Sequence, residues 1–314
     1  MTLCRTLAIT GATGFVGQAV MDEAAKQGIA RGITLRALTR RDQPGVEGVT
    51  WIRGDLADEA GLARLVEGAD AVLHIAGVVN APSMAKFVAG NVVGTQKVVA
   101  AARGAGVPRF VHVSSMAARE PGLSEYCRTK RLGEEIVQTS GLNWAAVRPP
   151  AVYGPRDTEM FELFKLARLG LIPVPKGGRT SLIHVGDLAR LLLTLVTADT
   201  PSGVIYEVDD GRAIDGQSRG WAHTELALAI GDAVGKKPRV VEISPRLVHL
   251  GARIDRLVRR GGAKLTPDRA LYMCHPDWVC DPQAAPPPEL WVPQVPTPAG
   301  LAATAQWYRD SGWL

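Results

Sequence analysis

Tyr126 and Lys130 stand four residues apart in Tyr126-Cys127-Arg128-Thr129-Lys130, a spacing that puts both on one face of a helix. A free tyrosine titrates near ~10 and is a poor proton shuttle at neutral pH unless a cation favours its anion. A lysine one turn away is such a cation, so the pair has the makings of a general acid–base. Ser114 and Ser115 end the strand pattern just before it, where a hydroxyl can bond a carbonyl oxygen. By itself Y-x-x-x-K recurs in ordinary amphipathic helices, and its weight comes from where it falls in the chain.

Upstream, Thr10-Gly11-Ala12-Thr13-Gly14-Phe15-Val16-Gly17 joins an apolar run to a helical pattern. Gly11 permits a tight turn, Gly14 lets a phosphate approach the backbone, and Gly17 lets the helix pack closely. The N–H groups around Thr13, Phe15 and Val16, together with the helix dipole, then bind a pyrophosphate. The spacing is G-x-x-G-x-x-G, and between a strand and a helix it reads as a dinucleotide turn. An oxidised nicotinamide would add a second positive charge to that of Lys130. At the end of the next strand the chain reads Thr39-Arg40-Arg41, with no acidic residue before Asp42. Arginine there accommodates a ribose 2′-phosphate, so NADP(H) is expected, with NAD also possible. The plainer alternative is that Arg40 and Arg41 are simply solvated.

These residues need a scaffold, and the first 150 residues alternate apolar runs with helical patterns as parallel βαβ units do. Strands are expected at 7–9, 35–38, 49–52, 71–74, 110–113 and 143–147, the last ended by Pro149-Pro150. Helices are expected at 15–27, 61–66, 91–103 and 126–139. Beyond that point turns multiply, with helices near 158–169, 222–234 and 245–260. Segment 181–209 reads as strand, helix, strand and is expected to return to the main sheet. The division predicted is a dinucleotide-binding domain of 1–154 with 181–210, and a substrate lobe of 155–180 with 211–314.

The net charge of +5 is concentrated. Between Arg246 and Arg269 seven basic residues face two acidic ones, and the rest of the chain is balanced. Nucleic-acid binding is set aside, because basic residues are neither widespread nor interleaved with aromatics. Cys4, Cys127, Cys274 and Cys280 do not form a disulfide framework, and Cys274, His275 and Cys280 lack a fourth zinc ligand at a usual spacing. The most apolar stretch, Leu188 to Val196, is short and holds Arg190, so no spanning helix is expected. With a strand pattern starting almost at residue 1, a reduced cytoplasmic protein is expected.

Taken in order, the motifs resemble the short-chain dehydrogenase/reductase superfamily in its extended or atypical branch. Those carrying the resemblance are Thr10 to Gly17, Gly54-Asp55-Leu56, His74-Ile75-Ala76-Gly77 and Asn91 to Thr95. They continue with Val113-Ser114-Ser115, Tyr126 to Lys130, Arg148 to Pro155, His184 to Leu188, and the Gly300-to-Leu314 ending. The resemblance implies an α/β fold, a doubly wound parallel Rossmann sheet with a smaller, mostly helical C-terminal substrate lobe. It implies that Asp55 contacts the adenine beside Leu56, that Ala76 and Gly77 line the cofactor ribose, and that Pro149 to Val152 touch the nicotinamide end. Lys130 would also bind the nicotinamide ribose, Ser115 would polarise a carbonyl, Tyr126 would be the acid–base, and Asn91 would have a structural or relay role. A helix-paired homodimer is the family expectation, with a monomer the other possibility.

Two departures shape the functional expectation. Ser115 and Tyr126 are closer in sequence than in most extended members, and Ala151 stands where sugar-nucleotide members often carry asparagine. The leading expectation is an NADP(H)-dependent oxidoreductase interconverting a carbonyl and a secondary alcohol on a bulky, largely apolar small molecule, as in the hydroxysteroid-dehydrogenase-like and dihydroflavonol-reductase-like members. The alternatives are a sugar-nucleotide epimerase or dehydratase with tightly held NAD, and a non-catalytic dinucleotide-binding protein.

Other residues read as architecture: His74 and His112 as satisfied structural histidines, His184 with Asp187 as a strand exit and helix N-cap, and Cys127 as packing. In 246–260, Leu247, Leu250, Ile254, Leu257 and Val258 share one arc of a helical wheel, with Arg253, Arg256, Arg259 and Arg260 opposite. That pattern fits a solvated helix face, a substrate-recruiting lid, or weak peripheral contact with anionic lipid.

Overall fold

Leu7, Ala8, Ile9, Val72, Leu73, Phe110 and Val111 are all fully buried. Runs covered on both faces make parallel strands, and that is what they form. The computed structural model describes residues 5–27, 32–197, 199–214, 217–218, 220–259, 262–263 and 265–314; Cys4, Arg260 and Lys264 lie outside the described residues. The chain divides into two compact units, 1–148 with 188–206, and 149–187 with 207–314.

The first unit opens with β1 (Thr6–Thr10), α1 (Phe15–Gln27), β2 (Thr34–Thr39), β3 (Val49–Arg53) and α2 (Glu59–Val66). It continues with β4 (Ala71–His74), α3 (Met84–Phe87), a π-helical turn at Val88–Val93, α4 (Gly94–Gly104) and β5 (Arg109–Val113). A 3₁₀ turn at Met116–Arg119, α5 (Glu125–Gln138) and β6 (Trp144–Arg148) complete the run. Parallel pairing joins β3 to β2, β2 to β1, β1 to β4, β4 to β5 and β5 to β6. The order therefore reverses between β1 and β4, and in open α/β sheets ligands bind in the crevice at such a switch. Leu38, Leu62, Leu65, Val72, Val98 and Phe110 form one core cluster of this unit.

In the second unit the elements are β7 (Ala151–Tyr153), α6 (Phe161–Arg168), β8 (Leu171–Pro175), β9 (Arg179–Thr180) and β10 (Leu182–His184). Helix α7 (Val185–Thr197) and strand β11 (Val204–Glu207) run across its boundary with the first unit. Then come β12 (Ala213–Ile214), β13 (Gln217–Ser218), β14 (Trp221–Ala222), α8 (His223–Ala233) and β15 (Arg239–Ile243). Helices α9 (Pro245–Arg259), α10 (Pro267–Met273) and α11 (Thr297–Asp310), with β16 (Asp277–Trp278) between the last two, finish the chain. Tyr153, Phe164, Leu182, Ile230, Leu301 and Tyr308 fill its core. Gly300 is needed for that packing: a Cβ there would lie 2.4 Å from the Tyr153 hydroxyl.

Four expectations change. Only half of segment 181–209 joins the main sheet: β11 extends it at β6, whereas β10 pairs with β7 through Leu182 and Ala151. Because Pro149-Pro150 ends β6, the units part at 148, 187 and 206 instead of 154, 181 and 210. The helix expected at 91–103 begins earlier, at Met84, and passes through the π turn. Asp187, read with His184 as a helix N-cap, lies inside α7. Its carboxylate accepts the N–H groups of Gln294 and Val295 at 3.0 Å, while His184 Nδ1 takes the Gly186 N–H.

One buried cation ties the first unit together. Arg109 opens β5, donates to the Leu195 carbonyl at 3.1 Å and to Asn143 Oδ1 at 2.5 Å, and bonds the Thr200 hydroxyl. Arg109→Met leaves those acceptors without a donor, and charge-assisted bonds of this kind contribute about 1.5–3 kcal/mol each. Urea unfolding should show a loss of about 2–4 kcal/mol with unchanged m-value. A midpoint equal to the wild type's would mean water replaces the guanidinium without loss.

Candidate active site

Helix α5 starts at Ser124, whose hydroxyl accepts the Cys127 N–H at 3.2 Å. Its buried face carries Tyr126, Lys130, Gly133, Glu134 and Val137, the i, i+4, i+8 row of one stripe. Gly133 lets that stripe approach the π turn: a Cβ there would lie 2.9 Å from the Asn91 carbonyl.

The serine pair separates into two tasks. Ser114 donates to Glu134 Oε1 at 2.6 Å, and Arg148 grips the same carboxylate at 2.8 and 2.7 Å. Ser115 turns the other way, accepts the Ala117 N–H at 3.2 Å, and hydrogen-bonds the Tyr126 hydroxyl. Ser115 and Tyr126 thus meet, as expected. The Glu134–Arg148 pair escaped the motif reading, although an acid one turn beyond Lys130 on a buried stripe was a usable signal.

Burial pushes the Tyr126 phenol up to about 12, with the Ser115 bond pulling the other way. Lys130 donates to the Val113 carbonyl at 2.9 Å, and burial lowers it to about 8, opposed by Glu134. Its positive charge bears on His74 and His112, both held far below their usual range, first by burial. His74 is satisfied by the Thr10 and Thr95 hydroxyls, at 2.6 and 3.0 Å. His112 departs from expectation: stacked on His74, it has no hydrogen-bond partner at either ring nitrogen.

Asn91 is a buried clamp at the π turn. Its amide accepts the Val78 N–H at 2.7 Å, donates to the Val78 carbonyl at 2.9 Å and to Thr129 Oγ1 at 3.1 Å. This fixes the loop after β4, where Gly77 is exposed and a Cβ on it would stand 3.7 Å from Lys130 Nζ. Ala76 sits beside it, its N–H 3.4 Å from the Thr10 hydroxyl.

The glycine turn has the geometry of a phosphate cradle. Gly11 has φ +79°, and a Cβ on it would lie 2.6 Å from the Ala76 nitrogen; one on Gly17 would lie 2.0 Å from the Gly11 carbonyl. Thr13 and Gly14 are exposed ahead of α1, which Phe15 and Val16 begin. Arg40 and Arg41 are exposed just past β2 and form no ion pair among the described residues, while Asp42 is taken up by Arg53. Asp55 is exposed, its carboxylate accepting the Ala57 and Asp58 N–H groups, and Leu56 is half-buried where a Cβ on Gly94 would strike it. Main-chain N–H groups at a helix start, a glycine floor and free guanidiniums are the donor set that a dinucleotide takes. Pro149 and Val152 fall in the second unit, Val152 on β7 against Ile183.

Residues 7–208 match the profile of the NAD-dependent epimerase/dehydratase family. The chain belongs to that family. It is 36% identical over 323 residues to the ceramide reductase of Caulobacter vibrioides, covering 98% of this chain and 96% of that one. It is 28% identical over 302 residues to the 2-alkyl-3-oxoalkanoate reductase of Stenotrophomonas maltophilia, covering 86% and 89%. Among solved structures, the UDP-glucose 4-epimerase of Thermus thermophilus in complex with NAD aligns with a TM-score of 0.70 at 22% identity, over 98% and 99% of the two chains. That likeness shows the fold. As a member of the epimerase/dehydratase family with reductase relatives, this protein is an NAD(P)-dependent oxidoreductase of the short-chain dehydrogenase/reductase type.

Lys130 carries a cost that can be measured. Its folded-state value of about 8 lies below the ordinary lysine value of 10.5. Between those two values the unfolded chain binds more protons, so stability rises with pH across pH 8–10.5. Below pH 8 the buried charge costs about 3 kcal/mol. Lys130→Met removes that penalty and forfeits the Val113 bond, worth about 1 kcal/mol. Without cofactor the variant should gain about 1–2 kcal/mol at pH 7 and lose the slope above pH 8, read by chemical denaturation across pH. A less stable variant that keeps the slope would show that the lysine is not the titrating group.

Proposed function

We propose that this protein is an NADP(H)-dependent ketoreductase that reduces the 3-oxo group of a long-chain, ceramide-type lipid to a secondary alcohol. The observation that carries the chemistry is the Ser115–Tyr126 hydrogen bond, made by a phenol that burial keeps protonated. The substrate class draws on two relatives, one named for reducing a ceramide and the other for reducing a 3-oxo group on an alkyl-substituted acid. Ala151, where sugar-nucleotide members often hold asparagine, agrees with this choice.

The chain's own residues divide the work. A nicotinamide held at this site would supply the hydride. The Ser115 hydroxyl donates to the carbonyl oxygen and orients it beside Tyr126. The Tyr126 hydroxyl gives its proton to that oxygen as negative charge develops there, so the carbonyl gains one hydride and one proton. Lys130, still cationic at neutral pH, steadies the phenolate left behind and holds the nicotinamide ribose beside Gly77. The Gly11–Gly17 turn and α1 would hold the pyrophosphate, Asp55 and Leu56 would border the adenine, and Arg40 and Arg41 would take the 2′-phosphate.

The test is NADPH oxidation with an N-acyl-3-oxo long-chain base in mixed micelles, beside NADH and UDP-glucose controls. Turnover of the keto-lipid with NADPH is expected, falling about 10²–10⁴-fold in Tyr126→Phe with NADPH binding unchanged. The rate should be level below pH 8 and decline above it as Lys130 loses its proton, because Tyr126 titrates only near 12. Copurified NAD with UDP-sugar turnover and no keto-lipid reduction would overturn the reading in favour of an epimerase.

Cofactor choice has its own test. Replacing Arg40 and Arg41 with alanine should weaken NADPH binding about 10- to 100-fold and leave NADH binding unchanged, from the loss of charge-assisted bonds to the 2′-phosphate. Equal loss for both cofactors would show that the arginines do not read the 2′ position.

A further inference from the structure

Helix α9 presents an apolar face that the second unit leaves uncovered. Leu247, Leu250, Ile254, Leu257 and Val258 are 58%, 52%, 52%, 78% and 73% exposed, and Ala252 is the helix's buried residue. At about 100° per residue the five fall within an arc of about 100°. The side that packs is a different one: Ala252 is buried, Val248 and Gly251 are half-buried, and α10 lies against the helix. Asp255, the helix's single acid, also turns from the arc; it accepts the Leu265 N–H at 2.9 Å and pairs with Arg259 at 3.2 Å. Arg246 and Arg253 border the arc, Arg253 standing beside it instead of opposite, and with Arg256 they form no ion pair with another described residue.

We propose that α9 docks this protein on a bilayer surface rich in anionic lipids, with the leucine arc in the acyl boundary and Arg246 and Arg253 at the level of the phosphates. Charge decides the occupant. A second copy of this face would set arginines against arginines with no free carboxylate between them, whereas a phosphate-rich surface complements both the arc and its rim. At ~22 Å the helix is too short to cross a bilayer, and no described helix is long and apolar enough to do so. The proposal stands on the helix alone. It suits a lipid substrate without resting on one.

The test is vesicle co-sedimentation of the full chain without substrate, on phosphatidylcholine alone and on phosphatidylcholine with phosphatidylglycerol, at low and 0.5 M salt. Binding to the anionic vesicles is expected, weakened at high salt. Replacing Leu250 and Leu257 with glutamine should abolish it, by at least tenfold, and replacing Arg246 and Arg253 with glutamine should cost about fivefold per residue and flatten the salt dependence. The four substituted side chains, Leu250, Leu257, Arg246 and Arg253, are all exposed, so circular dichroism and turnover of a short, water-soluble ketone should match the wild type. Absence of binding to either vesicle, or binding untouched by the leucine changes, would overturn the proposal. So would a dimer in sedimentation velocity that the leucine changes dissociate, which would make a second copy the occupant. Failure here leaves micellar keto-lipid turnover intact, and failure of that turnover leaves vesicle binding intact.

Discussion

One buried carboxylate sets the geometry on which the candidate site depends. Glu134 is almost wholly inaccessible; its Oε1 accepts from both the Ser114 hydroxyl on the β5 exit and Arg148 Nε at the end of β6, and its Oε2 accepts from Arg148 Nη2. A buried ion pair of this kind need not add net stability, because desolvation offsets most of its attraction. What it does is remove freedom. Helix α5 cannot slide or rotate without leaving a charge unpaired, so Tyr126, two turns before Glu134 on the same stripe, stays against Ser115. The consecutive serines then follow strand alternation: Ser114 faces the helix anchor and Ser115 the opposite way, toward the reacting groups.

The second constraint is closeness of backbones. Gly11 against Ala76, Gly17 against Gly11 and Gly133 against Asn91 are three contacts in which a single methyl would overlap main-chain atoms. They bring the β1 turn, the β4 exit and α5 together at the switch in strand order. Asn91 completes the arrangement by bonding both polar groups of Val78, and the wider π turn is what lets its side chain reach them.

Much of this was legible because local chemistry and chain order agree. Parallel strands buried on both sides are continuous apolar runs, and the glycine turn and the Tyr126–Lys130 spacing are local patterns that read without tertiary knowledge. What escaped was set by partners distant in sequence. Arg148 was visible only as part of a Pro-rich motif, since nothing local says that it reaches Glu134. Asp187 looked like a cap because caps are local, yet its acceptors are filled from Gln294 and Val295. His112 looked satisfiable, and only the packed sheet shows that stacking on His74 leaves its nitrogens without partners. In α9 the amphipathic pattern was plain, but the usual inference that an apolar arc faces its own core fails, because the small residues do the packing.

The electrostatics of the site also bear on direction. The same desolvation lifts Tyr126 to about 12 and lowers Lys130 to about 8, pressing both toward their neutral forms. For a reductase that is the useful state of the tyrosine, since the proton to be donated is already in place. For oxidation of an alcohol the phenol must first ionise, and at pH 7 a group titrating near 12 resists this by on the order of 7 kcal/mol. Lys130 spends its hydrogen bond on Val113 and lends its field to the histidines, so the resting protein leaves that difference uncancelled. On the proposed mechanism, running the reaction backwards would require additional positive charge beside Tyr126. On that mechanism the protein's own groups favour proton donation, because burial holds Tyr126 in its protonated form.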